Sequence, residues 1–456
     1  MSEQTMPSLE TYASFLDANP DIEVLEAFVI DVNGVPRGKW LPRDRALDVL
    51  ANGIAMPRSV FALDIWGRDV DAAGLAQGTG DPDGICYPVP GTISRVPWLA
   101  RPTAQVLLQM HVDKNPFYAD PRHVLATVLE RFAKEKITPV VATELEFYLV
   151  DPVRSALDPV RPPRTRDGRW HAGQTQVLSI SELQEFETVF HGIASAAQAQ
   201  GVPTDTTLRE NGPGQYEINL CHVADALAAA DHAVLLKRIV KGVARANGLD
   251  ATFMAKPYGT QAGSGMHVHF SLVDERGENI FADENGPAKA LFHSVGGLIR
   301  NMGESMAVFA PHQNSYRRMR RSEHAPTYAS WGIDNRSAAV RIITSSKAST
   351  RIEHRVAGAD SNPYLVLAMI LAAAHSGMKE KTDPGGAISG DDHAVNHEPL
   401  PRTWDQALQS FQSSSFAYAT LGPAYRGLYA ACKQQELAEF ALRVTDVEYD
   451  AYIRTV

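Results

Sequence analysis

Acidic side chains stand at alternate positions inside a run that otherwise belongs in a core. Residues 139–150 read Pro-Val-Val-Ala-Thr-Glu-Leu-Glu-Phe-Tyr-Leu-Val, and this β-branched and aromatic composition predicts a long strand. Strand residues two apart share a face, so Glu144 and Glu146 point the same way. Two carboxylates side by side on a core-facing sheet cost several kcal/mol unless something neutralises them. A divalent cation is the natural partner.

The pattern recurs. Glu210 and Glu217 bracket the tight turn Asn-Gly-Pro-Gly-Gln-Tyr that enters a second strand. In Gly263-Ser264-Gly265-Met266-His267-Val268-His269-Phe270-Ser271 the two histidines and Ser271 alternate on one strand face. Arg351, Glu353 and Arg355 do the same on an extended segment. Alone, each piece has an ordinary reading: a solvent-facing edge, a satisfied polar pair or simple zinc site, a surface ion-pair ladder. Together they offer five carboxylates and a histidine. That suits two oxygen-rich sites with open positions, for magnesium or manganese rather than zinc. Paired divalent cations bridged by phosphates are the usual equipment of phosphoryl transfer.

Composition narrows the class. A net charge of −10 over 456 residues argues against nucleic-acid binding, which needs a basic surface. The run Arg317, Arg318, Arg320, Arg321 is a local exception, readable as a solvated loop or an anion clamp. Three cysteines, Cys86, Cys221 and Cys432, form no Cys-x-x-Cys pair; that speaks against a disulfide scaffold and suits a reducing cytoplasm. The first twenty residues carry acids and no apolar core, unlike a signal peptide. No apolar run approaches the roughly 20 residues of a bilayer span. A soluble cytoplasmic protein without a membrane partner is expected.

Along the chain, strands are predicted at 27–31 and 105–110, and a Gly- and Pro-rich loop at 78–97. Asp120-Pro121 predicts a helix start, with Asp120 as N-cap. The domain boundary falls near residue 116. Beyond it, helices are predicted at 181–200, 222–246, 286–309 and 362–378, and strands at 214–220, 264–273 and 338–343. Residues 152–176 read as an excursion loop, 382–401 as a polar surface loop, and the rest as helical. The fold class is α+β: a small domain over 1–116 and a large catalytic domain over 117–456.

At these residues the chain resembles the glutamine synthetase family. The motifs, in order, are Glu144-x-Glu146, Glu210 to Glu217 with its Pro-Gly-Gln core, 263–269, Asn314-Ser315-Tyr316-Arg317-Arg318, Asn335-Arg336-Ser337, Arg351-Ile352-Glu353-x-Arg355 and Asn362-Pro363-Tyr364. The resemblance implies a β-grasp-like N-terminal domain and a catalytic domain with a curved antiparallel sheet flanked by helices. Subunits would form a hexameric ring, or two stacked rings, with ATP as co-substrate and two or more Mg2+ or Mn2+ per site. One metal would be held by Glu146, Glu210 and Glu217, the other by Glu144, His267 and Glu353. His269, Ser271, Arg341, Arg351 and, more weakly, Asp205 would line the nucleotide. Gly263, Arg318 and Arg355 would hold glutamate, and Arg336 would meet the phosphoryl group in transfer. Glutamate's γ-carboxylate would take that group, and an amine would then displace phosphate.

The amine half departs from the family. Where ammonia-using members carry a glutamate before Ala-Pro, this chain has His324, with Glu323 adjacent. An aspartate of the ammonia site has no counterpart in Met-Pro-Arg-Ser-Val-Phe at 56–61, and the excursion loop ends without its tyrosine. Ala262 replaces an asparagine, and no adenylylation segment is recognisable in 382–401. The expectation is therefore a ligase joining glutamate to an organic amine, in amine or polyamine catabolism, with His324 as base. Phe61, Asp64, Trp66 and Glu323 are the candidate amine pocket, leaning to apolar or aromatic monoamines. The alternatives are a γ-glutamylpolyamine synthetase, an ammonia-using glutamine synthetase, a non-catalytic ring-forming paralogue and a two-metal hydrolase.

Overall fold

Two sheets divide the computed structural model of the chain, whose described residues are 9–154, 158–170, 176–284, 286–320, 325–390 and 397–456. The first has strand order β2-β1-β6-β4-β3, with β5 and β7 also paired to β6. Its strands are β1 (Val24–Ile30), β2 (Pro36–Pro42), β3 (Ile54–Pro57), β4 (Asp83–Pro88), β5 (Ser94–Arg95), β6 (Thr103–Val112) and β7 (Asn115–Pro116). β1 is buried along its whole length because it sits between β2 and β6, antiparallel to one and parallel to the other. The expected loop at 78–97 is corrected here. β4 lies inside it, because Ile85, Cys86 and Tyr87 are β-favouring and pair with His111, Met110 and Gln109.

The second sheet carries the acidic strands. Its members are β8 (Thr138–Val150), β9 (Thr204–Arg209), β10 (Gln215–Leu220), β11 (Asp250–Thr252), β12 (Met266–Val273), β15 (Trp331–Ile333), β16 (Val340–Ile343) and β17 (Arg351–His354). A small hairpin, β13 (Ala282–Asp283) and β14 (Gly286–Pro287), stands apart. The order is β15-β16-β17-β12-β8-β10-β9, with β11 on β8. Every pairing is antiparallel except β15 with β16. The content is α+β, as expected.

Helices follow the capping signals. Asp120 caps Pro121–Lys134, accepting from Arg122 N, and its second oxygen takes Met110 N at 3.0 Å, which ties β6 to the helix. Asp225 caps Ala226–Ala246 and Asn362 caps Pro363–Glu380. The helix predicted at 181–200 is broken into Ile180–Glu185 and Glu187–Ala199. The break is Phe186, whose backbone leaves the helical region as its ring packs edge-on against Tyr216.

The two ends of the chain meet. In the helix Ser415–Ala441, Lys433 and Glu436 are both fully buried. Lys433 Nζ lies 3.1 Å from a Glu436 oxygen and reaches Asn33 Oδ1. Glu436 Oε1 accepts Ile65 N at 2.9 Å. A second tie is Arg122, which meets Asp231 through two nitrogens at 3.1 Å, while Tyr364 Oη donates to the same carboxylate at 2.6 Å. Among the described residues no helix is long and apolar enough to cross a membrane.

Candidate active site

Register brings the acids together. Glu144 pairs directly with His267 on one side and Asn219 on the other, and Glu146 pairs with Glu217. His269 pairs with Glu353, and Glu353 with Arg341. All these positions fall on one face of the sheet, because side chains alternate with period two. Strands far apart in sequence thus deliver their donors to a single patch.

Three sets of donors converge there, each with ligand atoms within 4.8 Å of one another: Glu146 with Glu210 and Glu217, Glu144 with Glu217 and His267, and Glu144 with His269 and Glu353. His267 Nδ1 lies 3.2 Å from Glu144 Oε2 and 3.9 Å from Glu353 Oε1, and its Nε2 lies 3.7 Å from Glu146 Oε1. His269 Nε2 lies 3.0 Å from Glu144 Oε1. Arg351 Nε donates to His269 Nδ1 at 3.2 Å, which leaves the ring proton on Nε2. Each histidine thus sits against Glu144, and each belongs to one of the donor sets.

The electrostatics fit a cation. Burial, with repulsion from Glu146, Glu144 and Glu210, pushes the Glu217 carboxyl up to about 10. Burial and Glu146 push Glu210 up to about 7. Burial also acts on Glu144 and Glu353, but it is overcome, and both are held below their usual range. His267 and His269 do this for Glu144; for Glu353, Arg355 acts ahead of the same two histidines. Oxygen-rich, mutually repelling acids with imidazole at one side form a donor set for hard divalent ions.

Beside this patch lies an arginine cradle. Arg318 is buried, and burial lowers its affinity for its proton. Its Nη1 donates to Val356 O at 2.7 Å and its Nη2 to Arg355 O at 3.2 Å. Gly263 faces it: a Cβ there would stand 2.7 Å from Ala255 O and 2.7 Å from Arg318 Cγ. Arg355 reaches Glu353 Oε1, and Arg341 Nη1 reaches Glu353 Oε2 at 2.9 Å. The run at 317–321 is split, with Arg318 buried and Arg317 and Arg320 exposed.

The remaining candidates are more scattered. Ser271 is half-buried two positions beyond His269 on β12, and Asp205 is exposed on the edge strand β9. Arg336 is exposed in the turn between β15 and β16. Glu323 and His324 lie outside the described residues.

Three further expected residues, Phe61, Asp64 and Trp66, are each packed by their own surroundings. Phe61 is fully buried and packs its ring 5.9 Å from Phe117, so it offers no open face. Asp64 is fully buried as well. It accepts from Trp66 N and Arg68 N at 3.0 and 2.9 Å, from Arg68 Nε at 2.8 Å and from Gln435 Nε2 at 3.0 Å, which shapes its own loop. Trp66 lies against Phe440 with Arg68 and Arg443 over its ring.

Three further side chains support the site. Gln215 Nε2 donates to Gly263 O at 2.9 Å and to Glu146 Oε2 at 3.4 Å, which joins the two halves of the site. Tyr148 Oη donates to Ala262 O at 2.6 Å, and Asn219 Nδ2 to Glu144 Oε1 at 3.2 Å. The signal was present. Tyr148 shares the period-two face of Glu144 and Glu146, and Gln215 and Asn219 share that of Glu217.

Comparison with known proteins agrees with this geometry. The family model for the glutamine synthetase catalytic domain matches residues 118–452. The γ-glutamylputrescine synthetase PuuA of Escherichia coli (strain K12) is 40% identical over 441 residues, spanning 96% of this chain and 93% of the relative. The glutamate–isopropylamine ligase of a Pseudomonas species is 31% identical over 464 residues, spanning 99% of both. The γ-glutamylethanolamide synthetase GlnA4 of Streptomyces coelicolor is 30% identical over 437 residues, spanning 95% and 93%. A solved structure described as a GmaS/ADP complex superposes with a TM-score of 0.82 at 27% identity, spanning 97% of this chain and 99% of that one. The chain belongs to the glutamine synthetase family.

Proposed function

We propose that the protein joins the γ-carboxylate of glutamate to a short aliphatic amine at the expense of ATP. The observation that carries this reading is the juxtaposition of five carboxylates and His267 with the Arg318–Gly263 cradle on one side of a single sheet. The amine is suggested by the relatives, named for putrescine, isopropylamine and ethanolamide. Phe61, fully buried against Phe117, leaves no open face for an aromatic tail, whereas Trp66 is half-buried beside Phe440.

In this reading Glu146, Glu210 and Glu217 hold one cation, and Glu144, His267 and Glu353 the other, with Mg2+ or Mn2+ the ions such oxygen donors favour. Bound cations supply neutralisation of phosphate charge. His269, Ser271, Arg341 and Arg351 lie along the nucleotide, with Asp205 at the outer edge. Arg318, Arg355 and the Gly263 backbone orient glutamate so that a γ-oxygen attacks the terminal phosphorus of ATP and ADP leaves. Arg336, exposed in its turn, meets the transferred group. The amine nitrogen then attacks the acyl carbon, phosphate departs, and a base takes the amine's proton; His324 is our candidate, with Glu323 beside it. Ring assembly and a cytoplasmic setting complete the proposal.

Metal-dependent ADP release with glutamate is the test, run with putrescine, isopropylamine, ethanolamine and ammonia in parallel. Turnover with at least one organic amine well above ammonia is expected. Clear preference for ammonia, or no amine-dependent turnover, would overturn the reading.

A further inference from the structure

The proposed glutamate cradle has two halves that come from separate parts of the chain. Gly263 closes the loop 255–263 ahead of β12, and Arg318 ends the short helix Ser315–Arg318. The loop is pinched at its base, where Ser264 N donates to Ala255 O at 2.9 Å, and Lys256 Nζ donates across it to Gln261 O. Its tip, Gly259 and Thr260, is exposed, whereas Ala255 and Lys256 at the base are buried. The helix is held on its far side. Ser315 Oγ donates to Asp360 Oδ2 at 2.6 Å, and Arg318 donates to the carbonyls of Val356 and Arg355. None of these bonds from the helix reaches the loop that carries Gly263.

Asn314 makes that connection. An asparagine just before a helix ordinarily caps it by accepting from first-turn N–H groups. Asn314 makes no such bond, and its own backbone is already helical. Its carboxamide spans to the loop: Lys256 N donates to Asn314 Oδ1 at 2.9 Å, and Asn314 Nδ2 donates to Lys256 O at 3.0 Å. The amide orientation follows from these partners, since its oxygen can only accept and its nitrogen can only donate. One planar group thus grips both the N–H and the C=O of a buried residue, at the base of the loop and not at its exposed tip. The helix and the loop cannot separate without stranding both backbone groups, a cost beyond that of an ordinary hydrogen bond.

We propose that Asn314 is a positioning residue for glutamate, acting through Lys256 to set the gap between Gly263 and Arg318. This role rests on the reading of that gap as the glutamate site. The two sides already meet closely, with a Cβ at Gly263 standing 2.7 Å from Arg318 Cγ. A misplacement of about 1 Å from a change outside the chemistry can cost about 100-fold, and Asn314 governs that placement without touching the substrate.

The test is steady-state kinetics of Asn314→Ala and Asn314→Asp with glutamate and ATP varied in turn, beside thermal melts with and without glutamate. Both variants lose the bond to Lys256 O. Asn314→Asp keeps the shape and the bond from Lys256 N, and serves if Asn314→Ala does not fold. KM for glutamate is expected to rise by at least about tenfold, and KM for ATP to stay within about twofold. The rise in melting temperature that glutamate gives the parent should shrink in both variants. A merely structural role would lower melting temperature and kcat without separating the two substrates. KM for glutamate within about twofold of the parent's, or an equal rise for ATP, would overturn the role of Asn314 and leave the proposed function standing. A parent without glutamate-dependent turnover would overturn that function, and this role with it.

Discussion

Glu146 and Glu217 stand directly opposite each other across the β8–β10 ladder, two acids at paired positions of adjacent strands. Like charges so placed destabilise a sheet, and here the neighbouring Glu144 and Glu210 add to the repulsion. Glu217→Gln should therefore raise the stability of metal-free protein by roughly 1 kcal/mol. The same change should shrink the rise in melting temperature that Mg2+ or Mn2+ gives the parent. Thermal melts with chelator and with each ion read both effects, and a variant that melts lower without metal would contradict the account.

Gly263 carries a different prediction. A methyl group there meets the Ala255 carbonyl and the Arg318 stem at 2.7 Å each, and overpacking of this kind costs about 1–3 kcal/mol. If Arg318 yields, the proposed glutamate cradle is disturbed while the proposed nucleotide residues on β12, β16 and β17 are not. Gly263→Ala should raise KM for glutamate by about 10–100-fold and leave KM for ATP within about twofold. Steady-state kinetics with each substrate varied in turn decides it, and a matching loss for ATP would point to general disruption.

The Arg122–Asp231–Tyr364 network lies away from the chemistry and should act on stability alone. Asp231→Ala would strand the Arg122 guanidinium, which is only 7% exposed, at a cost of about 3–5 kcal/mol. Denaturant unfolding should show this loss, while kcat of the folded fraction stays near the parent's.

Asp120 links stability to pH. Burial pushes its carboxyl up to about 6, against the hydrogen bonds from Met110 and Arg122 that favour the ionised form. An unfolded aspartate releases its proton near 4. The stability carried by the protonated group is thus full below about pH 4 and is lost as pH rises through 6. Asp120→Asn keeps an oxygen acceptor and removes the titration. Relative to the parent, the variant should gain up to roughly 3 kcal/mol between pH 4 and 7. Unfolding curves across that range test it, and a constant offset at every pH would count against it.

The acid-bearing strands were legible because a carboxylate in an apolar run at period two has few ordinary explanations. Glu144, Glu146, Glu217, His267 and Glu353 do converge on one face. The helix caps at Asp120, Asp225 and Asn362 were equally local signals, as N-cap chemistry is written in neighbouring residues. What escaped was long-range. β4 was hidden by the Gly and Pro residues around a three-residue β core. The packing of Phe61 on Phe117, and of Trp66 beside Phe440 and Arg443, depends on segments distant in sequence. The break at Phe186 follows from Tyr216, a residue thirty positions on.

The register of the second sheet has one more consequence. Apart from Glu210 in the turn before β10, its donors come from β8, β10, β12 and β17, held in phase by backbone ladders. A slip of one residue in any of them would turn its donors to the opposite face. Convergence of the donors therefore depends on the alignment of every one of these strands. A chain with one strand out of step would keep most of its acids and still could not gather them into one donor set.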